Sequence, residues 1–213
     1  MSSFKSSFFI SFEGIDGCGK STQVKLLNKK MKSMSIDSIV VREPGGNIIS
    51  EDIRGILLNN DFFNMSSRTE ALLMAASRSQ LTRDIIIPSL SKGSLIIADR
   101  YSDSTLAYQG GGRGIDVEWL ISLNKFATYN NTPDLTIYLD VEVEEGLRRR
   151  KIKNLDRLES LGFEFQEKVR NQYIKLVKLF PERIVSINGM QSNEKICEEI
   201  WEIIKNRIDL NAR

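Results

Sequence analysis

Residues 14–21 form the clearest chemical motif of the chain. They read GIDGCGKS and fit the pattern G-x-x-x-x-G-K-[ST] of a phosphate-binding loop, between an apolar run and a helical pattern. The glycines of such a loop let consecutive backbone N–H groups converge on phosphate oxygens, and the positive end of the following helix dipole adds to the field. Lys20 is expected to reach the β- and γ-phosphates of a nucleotide, and the Ser21 hydroxyl to ligate Mg²⁺. The predicted nucleotide-binding residues are Gly14, Ile15, Asp16, Gly17, Cys18, Gly19, Lys20, Ser21 and Thr22.

An aspartate and an arginine, Asp99 and Arg100, end the apolar run SLIIADR at residues 94–100. The carboxyl ends of parallel strands are where ligands gather in an open α/β sheet. Beside a phosphate loop, such a pair is suited to Mg²⁺ and to a second phosphate group. The loop alone is shared by kinases, GTPases and motor ATPases, but the base-reading N-K-x-D motif of GTPases is missing at both Asn-Lys pairs of the chain.

Composition excludes several other chemistries. The 213 residues include no histidine, which rules out a histidine general base, a histidine-bound metal and a Ser-His-Asp triad. Thirty basic and 28 acidic residues give a net charge of +2, so neither a nucleic-acid nor a membrane partner is predicted. Two cysteines cannot build a disulfide framework, and no apolar run approaches the ~20 residues that cross a bilayer, which favours a cytoplasmic location. Chemistry must come from carboxylates, lysine, arginine or the backbone.

Five apolar, β-branched or aromatic runs predict the strands that must carry these groups. They are FFISFE (8–13), SIVVRE (38–43), SLIIADR (94–100), LTIYLD (135–140) and RIVSIN (183–188). Between them, helical spacing of apolar residues extends from Lys20 to Met34, and Ser67 is expected to cap a helix that continues through TEALLMAASRSQLTRDIIIPSL. Strands that alternate with helices predict one α/β domain, with a parallel sheet of about five strands and helices on both faces.

Four further motifs follow one another along the chain. They are REPGG (42–46), SRSQL (77–81), DRYSDSTLAYQGGGRG (99–114) and RRRKIKNLDRLE (148–159). In order and spacing they resemble the thymidylate kinase family, and the resemblance covers essentially the whole chain. It implies a single P-loop kinase domain over residues 1–213 with a short lid at about 148–157. It also implies ATP-dependent phosphorylation of dTMP to dTDP with Mg²⁺, by a homodimer.

The resemblance assigns the acceptor site to individual residues. The dTMP-binding residues that it implies are Arg54, Met74, Arg78, Arg100, Thr105, Tyr108 and Gln109. Arg54 and Arg100 match the family's acceptor-phosphate arginines, and Tyr108 matches the residue that crowds the sugar 2′ position. An arginine donor such as Arg78, opposite the 4-carbonyl of thymine, would disfavour cytosine, whose 4-amino group is itself a donor. Met74 stands where the family usually carries an aromatic ring that stacks on the base, and a polarisable thioether replaces it here.

Catalysis and metal binding are implied at groups around the phosphate loop. The catalytic set is Lys20, Asp16, Arg100, Arg148, Arg149 and Arg150, and the Mg²⁺ set is Ser21, Asp99 and, through water, Glu43. Asp16 resembles the family's loop carboxylate, which meets the acceptor's sugar hydroxyl or the magnesium shell. Some family members carry an arginine in the phosphate loop, whereas Lys20 is the only base in this one. The missing positive charge is therefore expected from the lid, where Arg157 follows the other three arginines.

Two other functions remain open on the sequence. A deoxynucleoside kinase would phosphorylate the nucleoside and would not need Arg54 and Arg100 for an acceptor phosphate. A non-catalytic nucleotide sensor would use the phosphate loop as a switch and would not need the lid arginines. The homodimer that the resemblance implies is also supported by apolar helical surface in segments 67–90 and 116–129.

Overall fold

Five parallel strands form one sheet with β1 at its centre. The computed structural model describes residues 7–150 and 155–211 of the chain. The strands lie in the order β2-β3-β1-β4-β5 and are β1 (Phe8–Glu13), β2 (Ser38–Arg42), β3 (Leu95–Asp99), β4 (Leu135–Asp140) and β5 (Ile184–Asn188). Every neighbouring pair is parallel, and each strand begins and ends within one residue of the run that predicted it. The predicted α/β fold with a five-stranded parallel sheet is confirmed.

Helices connect the strands. They are α1 (Lys20–Ser33), α2 (Ile48–Leu58), α3 (Ser67–Leu81), α4 (Ile87–Ser91), α5 (Ser102–Thr105), α6 (Val117–Ala127), α7 (Val143–Arg149), α8 (Phe163–Leu179) and α9 (Asn193–Asn211). Wider π-helical turns at Thr82–Ile86 and Leu106–Gly112 join α3 to α4 and extend α5, and a short 3₁₀ turn spans Asn60–Phe62. Within the described ranges, no helix combines the length and the low polarity that a membrane crossing requires.

The start of α3 differs by one residue from the prediction. The Ser66 hydroxyl accepts a hydrogen bond from the Thr69 N–H at 3.1 Å, so Ser66 is the cap and Ser67 is the first helical residue. Ser67 and Glu70 have the spacing of a capping box, but Glu70 is buried and bonded to arginines, so it cannot reach back to the helix start. The prediction that Ser67 caps the helix is therefore wrong.

The single helix predicted from Ser67 to Leu90 is interrupted by the π-helical turn at Thr82–Ile86. Pro88 follows this turn in α4. Proline lacks an N–H donor, and its ring would meet the carbonyl of the residue four positions earlier, so a regular helix cannot continue through it. One wider π-helical turn accommodates the missing hydrogen bond and the bulk of the proline ring, and it keeps the two helical segments joined.

Two apolar clusters attach the helices to the sheet. Side chains alternate along β1, so Phe8 and Phe12 belong to the larger cluster with Leu27 of α1, whereas Phe9 belongs to the smaller cluster with Leu81 of α3. The parallel register aligns the carboxyl ends of β1, β2 and β3, with Asp99 opposite both Phe12 and Arg42. The loops that leave these three ends therefore converge at one edge of the sheet.

Candidate active site

A cavity of about 860 Å³ opens at the carboxyl edge of the sheet. Its volume lies within the range of ligand pockets, about 300–1,000 Å³. The predicted site residues that line it are Asp16, Gly17, Gly19, Lys20, Ser21, Thr22, Glu43, Arg54, Met74, Arg78, Asp99, Arg100, Thr105, Tyr108, Gln109, Arg148 and Arg149. The fold thus brings residues predicted for a phosphate donor and for its acceptor into one cavity.

The lysine of the phosphate loop donates hydrogen bonds to carbonyl oxygens of the same loop, and the loop packs against α7. Lys20 Nζ donates to the carbonyl oxygens of Gly14 and Ile15 at 3.1 and 2.8 Å. Gly17 has a φ of +81°, and a Cβ there would lie 2.1 Å from the carbonyl oxygen of Gly146, so only glycine fits. Gly14, Ile15 and Cys18 of the loop are buried and do not line the cavity, and their contact with a nucleotide stays a prediction.

Ser21 and Asp99 meet at the start of α1. The Ser21 hydroxyl donates to Asp99 Oδ2 at 2.5 Å, although the two residues are 78 positions apart in the chain. Hydroxyl and carboxylate oxygens are ligands that Mg²⁺ accepts. The described residues contain no group of three or more acidic or cysteine side chains that could hold a metal ion. A cation beside Ser21 and Asp99 would therefore complete its shell with phosphate oxygens and water.

Arg100 reaches the phosphate loop from the end of β3. Its φ is +72°, in the left-handed region that residues other than glycine rarely adopt. Nη1 donates to the Gly14 carbonyl oxygen at 2.9 Å, and Nη2 donates to the Asp16 carboxylate. Burial would raise the pKa of Asp16, but the charges of Arg100 and Lys20 outweigh it and hold that pKa below its ordinary value. Asp16 is therefore an ionised acceptor whose direction is fixed by Arg100.

Tyr108 completes this cluster. Its hydroxyl accepts from Arg100 Nη2 at 2.9 Å and donates to Asp16 Oδ2 at 3.1 Å. Its ring lies edge-on to Phe165, with the ring centres 6.1 Å apart. Burial raises the pKa of Tyr108 well above its ordinary value, so the phenol stays neutral and can donate. A buried ring held at both ends forms a rigid wall of the cavity.

Arg78 is almost wholly buried, with its guanidinium surrounded by acceptors. Nε donates to Glu43 Oε2, and Nη1 donates to Thr105 Oγ1 and Asn124 Oδ1, each at 2.8 Å. Burial raises the pKa of Glu43, and Arg78 opposes that rise. The other carboxylate oxygen of Glu43, Oε1, is buried and has no hydrogen-bond partner among the described residues. Glu43 thus both orients Arg78 and keeps one acceptor unused at the cavity.

Gln109 lies on the π-helical segment after α5, where its amide is oriented by Glu70. Gln109 Nε2 donates to Glu70 Oε1 at 3.0 Å, and Arg113 and Arg157 bond to the same carboxylate. Burial would raise the pKa of Glu70, but these donors lower it, so Glu70 is ionised and can only accept. The amide nitrogen must therefore face Glu70, which leaves the Gln109 carbonyl oxygen for a ligand in the cavity.

Two arginines and a methionine extend the acceptor side of the cavity. Arg54 of α2 and Arg42 at the end of β2 donate to the same carbonyl oxygen, that of Pro44, at 2.9 and 3.0 Å. Arg42 was not predicted as a site residue, although the REPGG motif contains it. Met74 of α3 is partly buried and lines the cavity.

The lid arginines start on α7. Arg148 and Arg149 both bond to Glu145, at 2.6–2.7 Å, and these two contacts lower the pKa of Glu145 to about 2. Arg148 is 74% exposed, so its side chain can turn toward a ligand. Arg150 instead donates to the Glu159 carbonyl oxygen at 2.6 Å and does not line the cavity. Residues 151–154 of the predicted lid lie outside the described residues.

Arg157 does not contribute the lid charge that was expected of it. It is 3% exposed, pairs with Glu70 at 2.7 Å and donates to the Leu57 carbonyl oxygen at 2.8 Å. Because a buried carboxylate attracts a cation more strongly than water-screened groups do, Glu70 draws this arginine inward. Arg157 therefore anchors the end of the lid segment to α2 and α3.

Sequence reasoning missed the residues beside the loop that precedes α9. Gln191, Ser192, Asn193 and Glu194 line the cavity. Gln23 of α1 ties this loop to the nucleotide side, because its Nε2 donates to the Asn193 carbonyl oxygen at 3.0 Å. The four residues belong to no recognisable motif, and only the position of β5 next to β4 could have indicated them.

Comparisons with known proteins agree on one family. The thymidylate kinase family model matches residues 12–200. The chain is 50% identical over 201 residues to a thymidylate kinase of Caldanaerobacter subterraneus subsp. tengcongensis, covering 92% of this chain and 96% of the relative. It is 48% identical over 200 residues to that of Thermosipho africanus, covering 94% and 98%. The crystal structure of thymidylate kinase from Ehrlichia chaffeensis superposes with a TM-score of 0.78 at 30% identity and covers 93% of this chain and 99% of that one.

Proposed function

Because the chain belongs to the thymidylate kinase family, we propose that this cavity transfers the γ-phosphoryl group of ATP to the 5′-phosphate of dTMP, giving dTDP and ADP. The observation that carries the proposal is one cavity lined by a phosphate loop and, beside it, by the arginines Arg54 and Arg100. An acceptor that already bears a phosphate needs such cations, whereas a nucleoside does not. Residues 1–213 act as one such domain, with the lid at about 148–157.

On the donor side, the phosphates of ATP lie over the phosphate loop. Lys20 exchanges its bonds to the loop carbonyls for the β- and γ-phosphates, and its position at the loop supports this role. Ser21 and Asp99 would hold Mg²⁺, and Glu43 Oε1 would support it through water, because these oxygen donors fit the cation. Mg²⁺ supplies charge neutralisation for the phosphates when it is bound. The adenine lies toward residues 191–194, which line that side of the cavity.

On the acceptor side, the phosphate of dTMP lies between Arg54 and Arg100. Asp16 accepts the sugar 3′-hydroxyl, because it is ionised and directed into the cavity by Arg100. Tyr108 crowds the 2′ position and so favours deoxyribose. This role is supported by the burial of the ring and by the fixed hydroxyl.

The thymine base is selected by hydrogen bonds from two directions. Arg78 donates to the 4-carbonyl oxygen by giving up its longest present bond, that to the Tyr101 carbonyl oxygen at 3.2 Å, while Glu43 and Thr105 hold the guanidinium in place. The Gln109 carbonyl oxygen, turned to the cavity by Glu70, accepts the N3–H of thymine. Cytosine has an acceptor at N3 and a donor at its 4-position, so it meets the wrong partner at both points. Met74 packs on the face of the base.

Phosphoryl transfer itself needs positive charge around a loose transition state rather than a protein nucleophile. Arg148 and Arg149 of the lid supply it when they leave Glu145, and Lys20 and Arg100 supply it from the cavity wall. This division suits a chain without histidine, since no proton needs to be carried by an imidazole.

A coupled ADP-release assay with ATP and Mg²⁺ tests the proposal. We expect dTMP to give the highest kcat/KM among the nucleoside monophosphates, and thymidine to give no turnover. Phosphorylation of thymidine in preference to dTMP would identify a deoxynucleoside kinase instead. Nucleotide binding without any ADP release would identify a sensor.

The exposed apolar side chains of α3 and α6 support a homodimer. Leu72, Trp119 and Phe126 are 52%, 45% and 84% exposed, and Trp119 and Phe126 are seven residues apart on one face of α6. Sedimentation at micromolar concentration should give twice the chain mass of 24.2 kDa, and Phe126→Glu should give the monomer. A wild-type chain that sediments at 24.2 kDa would overturn the dimer.

A further inference from the structure

Glu13 is a buried carboxylate that the proposed reaction does not use. It is the last residue of β1, directly before the phosphate loop, and its exposed fraction is 0%. Its Oε1 accepts the backbone N–H of Tyr101 at 2.8 Å, and its Oε2 accepts the hydroxyls of Ser104 at 2.6 Å and Tyr173 at 2.8 Å. None of these donors is a lysine or an arginine. Burying a carboxylate among neutral donors alone costs stability. The position of Glu13 therefore indicates a role beyond the stability of the fold.

These contacts surround Arg100, the left-handed residue at the end of β3. The Arg100 N–H donates to the Phe12 carbonyl oxygen at 3.0 Å, and the next N–H, that of Tyr101, donates to Glu13. The end of β1 therefore holds the backbone on both sides of the strained residue. Ser104 Oγ, which donates to Glu13, also accepts from Arg100 Nη1 at 3.2 Å. The carboxylate is thus connected to Arg100 through the backbone and through a side chain.

We propose that Glu13 is a positioning residue for Arg100, which it keeps in the left-handed conformation that directs the guanidinium to the phosphate loop and to the acceptor phosphate. This inference rests on the proposed function, in which Arg100 binds the phosphate of dTMP. A carboxylate suits the role because all three of its partners are donors. A protonated acid or an amide would offer a donor of its own to Ser104 or Tyr173, and the bond between Ser104 and Arg100 would have to rearrange.

The charges around Glu13 make this role depend on pH. Burial is the main cause that raises the pKa of Glu13 to about 7, and Asp103 of α5 raises it further. Asp103 is itself paired with Arg183 at 2.6 Å. The Ser104 hydroxyl, the Arg100 charge and the Tyr173 hydroxyl of α8 act in the opposite direction. As the pH falls through about 7, Glu13 gains a proton and its three-donor arrangement is lost.

The test compares Glu13→Gln with the wild type in steady-state kinetics from pH 6 to 9. At pH 8 the KM for dTMP should rise about tenfold, the size of one displaced charge-assisted hydrogen bond, while the KM for ATP stays within about twofold. Both proteins share the ionisation of the substrate phosphate near pH 6. The ratio of kcat/KM for dTMP in the wild type to that in Glu13→Gln cancels this shared ionisation. We expect the ratio to rise as the pH increases through about 7.

Two further variants separate positioning from structural support. Tyr173→Phe removes one donor, and Tyr173 does not line the cavity, so the wild-type step near pH 7 should move to higher pH. Asp134→Asn is the matched control, because its carboxylate accepts the Phe9 N–H at 2.8 Å at the start of β1, away from the cavity. It should lower Tm and leave the KM for dTMP and the pH profile unchanged.

Arg100→Ala, alone and combined with Glu13→Gln, identifies which hypothesis has failed. If Glu13 acts through Arg100, Glu13→Gln adds no further rise in the KM for dTMP once Arg100 is absent. An Arg100→Ala variant with an unchanged KM for dTMP would refute the proposed role of Arg100 itself. If the KM for dTMP rises in Arg100→Ala but not in Glu13→Gln, the positioning role is overturned. It is also overturned if Glu13→Gln raises this KM by the same factor in the wild type and in Arg100→Ala. Should Glu13→Gln fail to fold, an unmoved pH step in Tyr173→Phe overturns it.

Discussion

Among single residues, Lys20 offers the cleanest separation of catalysis from folding. Its ammonium bonds only to carbonyl oxygens of its own loop and to the Cys18 sulfur, so it holds no other element in place. We expect Lys20→Ala to fold with a Tm close to that of the wild type and to lose about 10²–10³-fold in kcat, the cost of one preorganised charge at a transition state. Lys25→Ala, at an exposed position of the same helix, is the control. Near-normal turnover of Lys20→Ala would refute the phosphate-loop assignment.

Arg78 should determine which base is accepted. Arg78→Ala is expected to narrow the ratio of kcat/KM for dTMP over dCMP by at least about tenfold, because the donor that rejects cytosine is gone. The ratio for dTMP over dUMP should hardly change, since one methyl group is worth ~0.8 kcal/mol on burial and does not involve Arg78. The variant leaves Glu43 buried without its cation and will lose stability. A ratio of two substrates measured on one preparation cancels the folded fraction, so an unchanged dTMP/dCMP ratio would remove Arg78 from the base site.

The sequence predicts which residues line the cavity better than it predicts what holds them. Arg78, Thr105, Tyr108 and Gln109 all line it, as the resemblance implied. Their partners could not be deduced, because the Arg78–Glu43 and Gln109–Glu70 bonds join residues 35 and 39 positions apart through packing of different elements. Glu70 is the clearest example, since nothing in the sequence marks it as a buried residue that orients a base-reading amide.

At the scale of elements, α7 carries the lid charge unevenly. Replacing Arg148, Arg149 and Arg150 together with alanine should lower the rate of the chemical step by about 10³-fold or more, because arginines at phosphoryl-transfer transition states are worth ~10³–10⁵. The KM for dTMP should stay nearly constant. Arg150→Ala alone should have the smallest effect of the three single variants, because Arg150 bonds to the Glu159 carbonyl and does not line the cavity. Single-turnover kinetics measure the chemical step, and a triple variant with a defect only in dTMP affinity would reassign these arginines to acceptor binding.

The contact between α7 and the phosphate loop depends on Gly146. A Cβ at this position would lie 2.8 Å from Ile15 Cδ1 and 2.9 Å from the Asp16 carbonyl oxygen. Gly146→Ala should therefore displace the loop, raise the KM for ATP and cost about 1–3 kcal/mol in the free energy of unfolding. Gly55→Ala in α2, where nothing lies within 4 Å of the added carbon, should instead stabilise the protein by about 0.5–1 kcal/mol. An ATP KM that is unchanged in Gly146→Ala would show that the loop does not depend on this contact.

Regular elements follow from local patterns, and irregular ones do not. The five strands were predictable because each is a short apolar run between polar turns. The π-helical segment at Leu106–Gly112, which carries Tyr108 and Gln109, has no periodicity that would distinguish it from an α-helix. It closely approaches α8, since a Cβ on Gly111 would lie 2.4 Å from the Gln172 Cβ. Long-range packing of this kind decides the local geometry there.

For the whole molecule, buried carboxylates set the dependence of stability on pH. The chain has no histidine, so changes of side-chain charge between pH 5 and 8 come from groups whose pKa the fold has moved. Asp16 and Glu70 have lowered pKa values and stabilise the native state above their ordinary pKa. Glu13 has the opposite effect on the pH dependence of stability, because its pKa is raised from 4.5 to about 7. Its protonated form favours folding fully below about pH 4.5, and this stabilisation is lost as the pH rises through about 7.

The Tm of the wild type minus that of Glu13→Gln should therefore decrease from pH 5 to about pH 7 and become constant above it, since glutamine does not titrate. Differential scanning calorimetry at unit pH intervals measures the difference, and the other shifted carboxylates cancel because both proteins share them. A difference that is constant from pH 5 to 8 would mean that Glu13 is ionised throughout and would remove the pH dependence of its role. The predicted kinetic effect has the opposite slope: affinity for dTMP rises over the same pH range in which the fold loses stability. A carboxylate that served only the fold would change the Tm with pH and leave the affinity for dTMP unchanged, so opposite slopes identify stability given up to position Arg100.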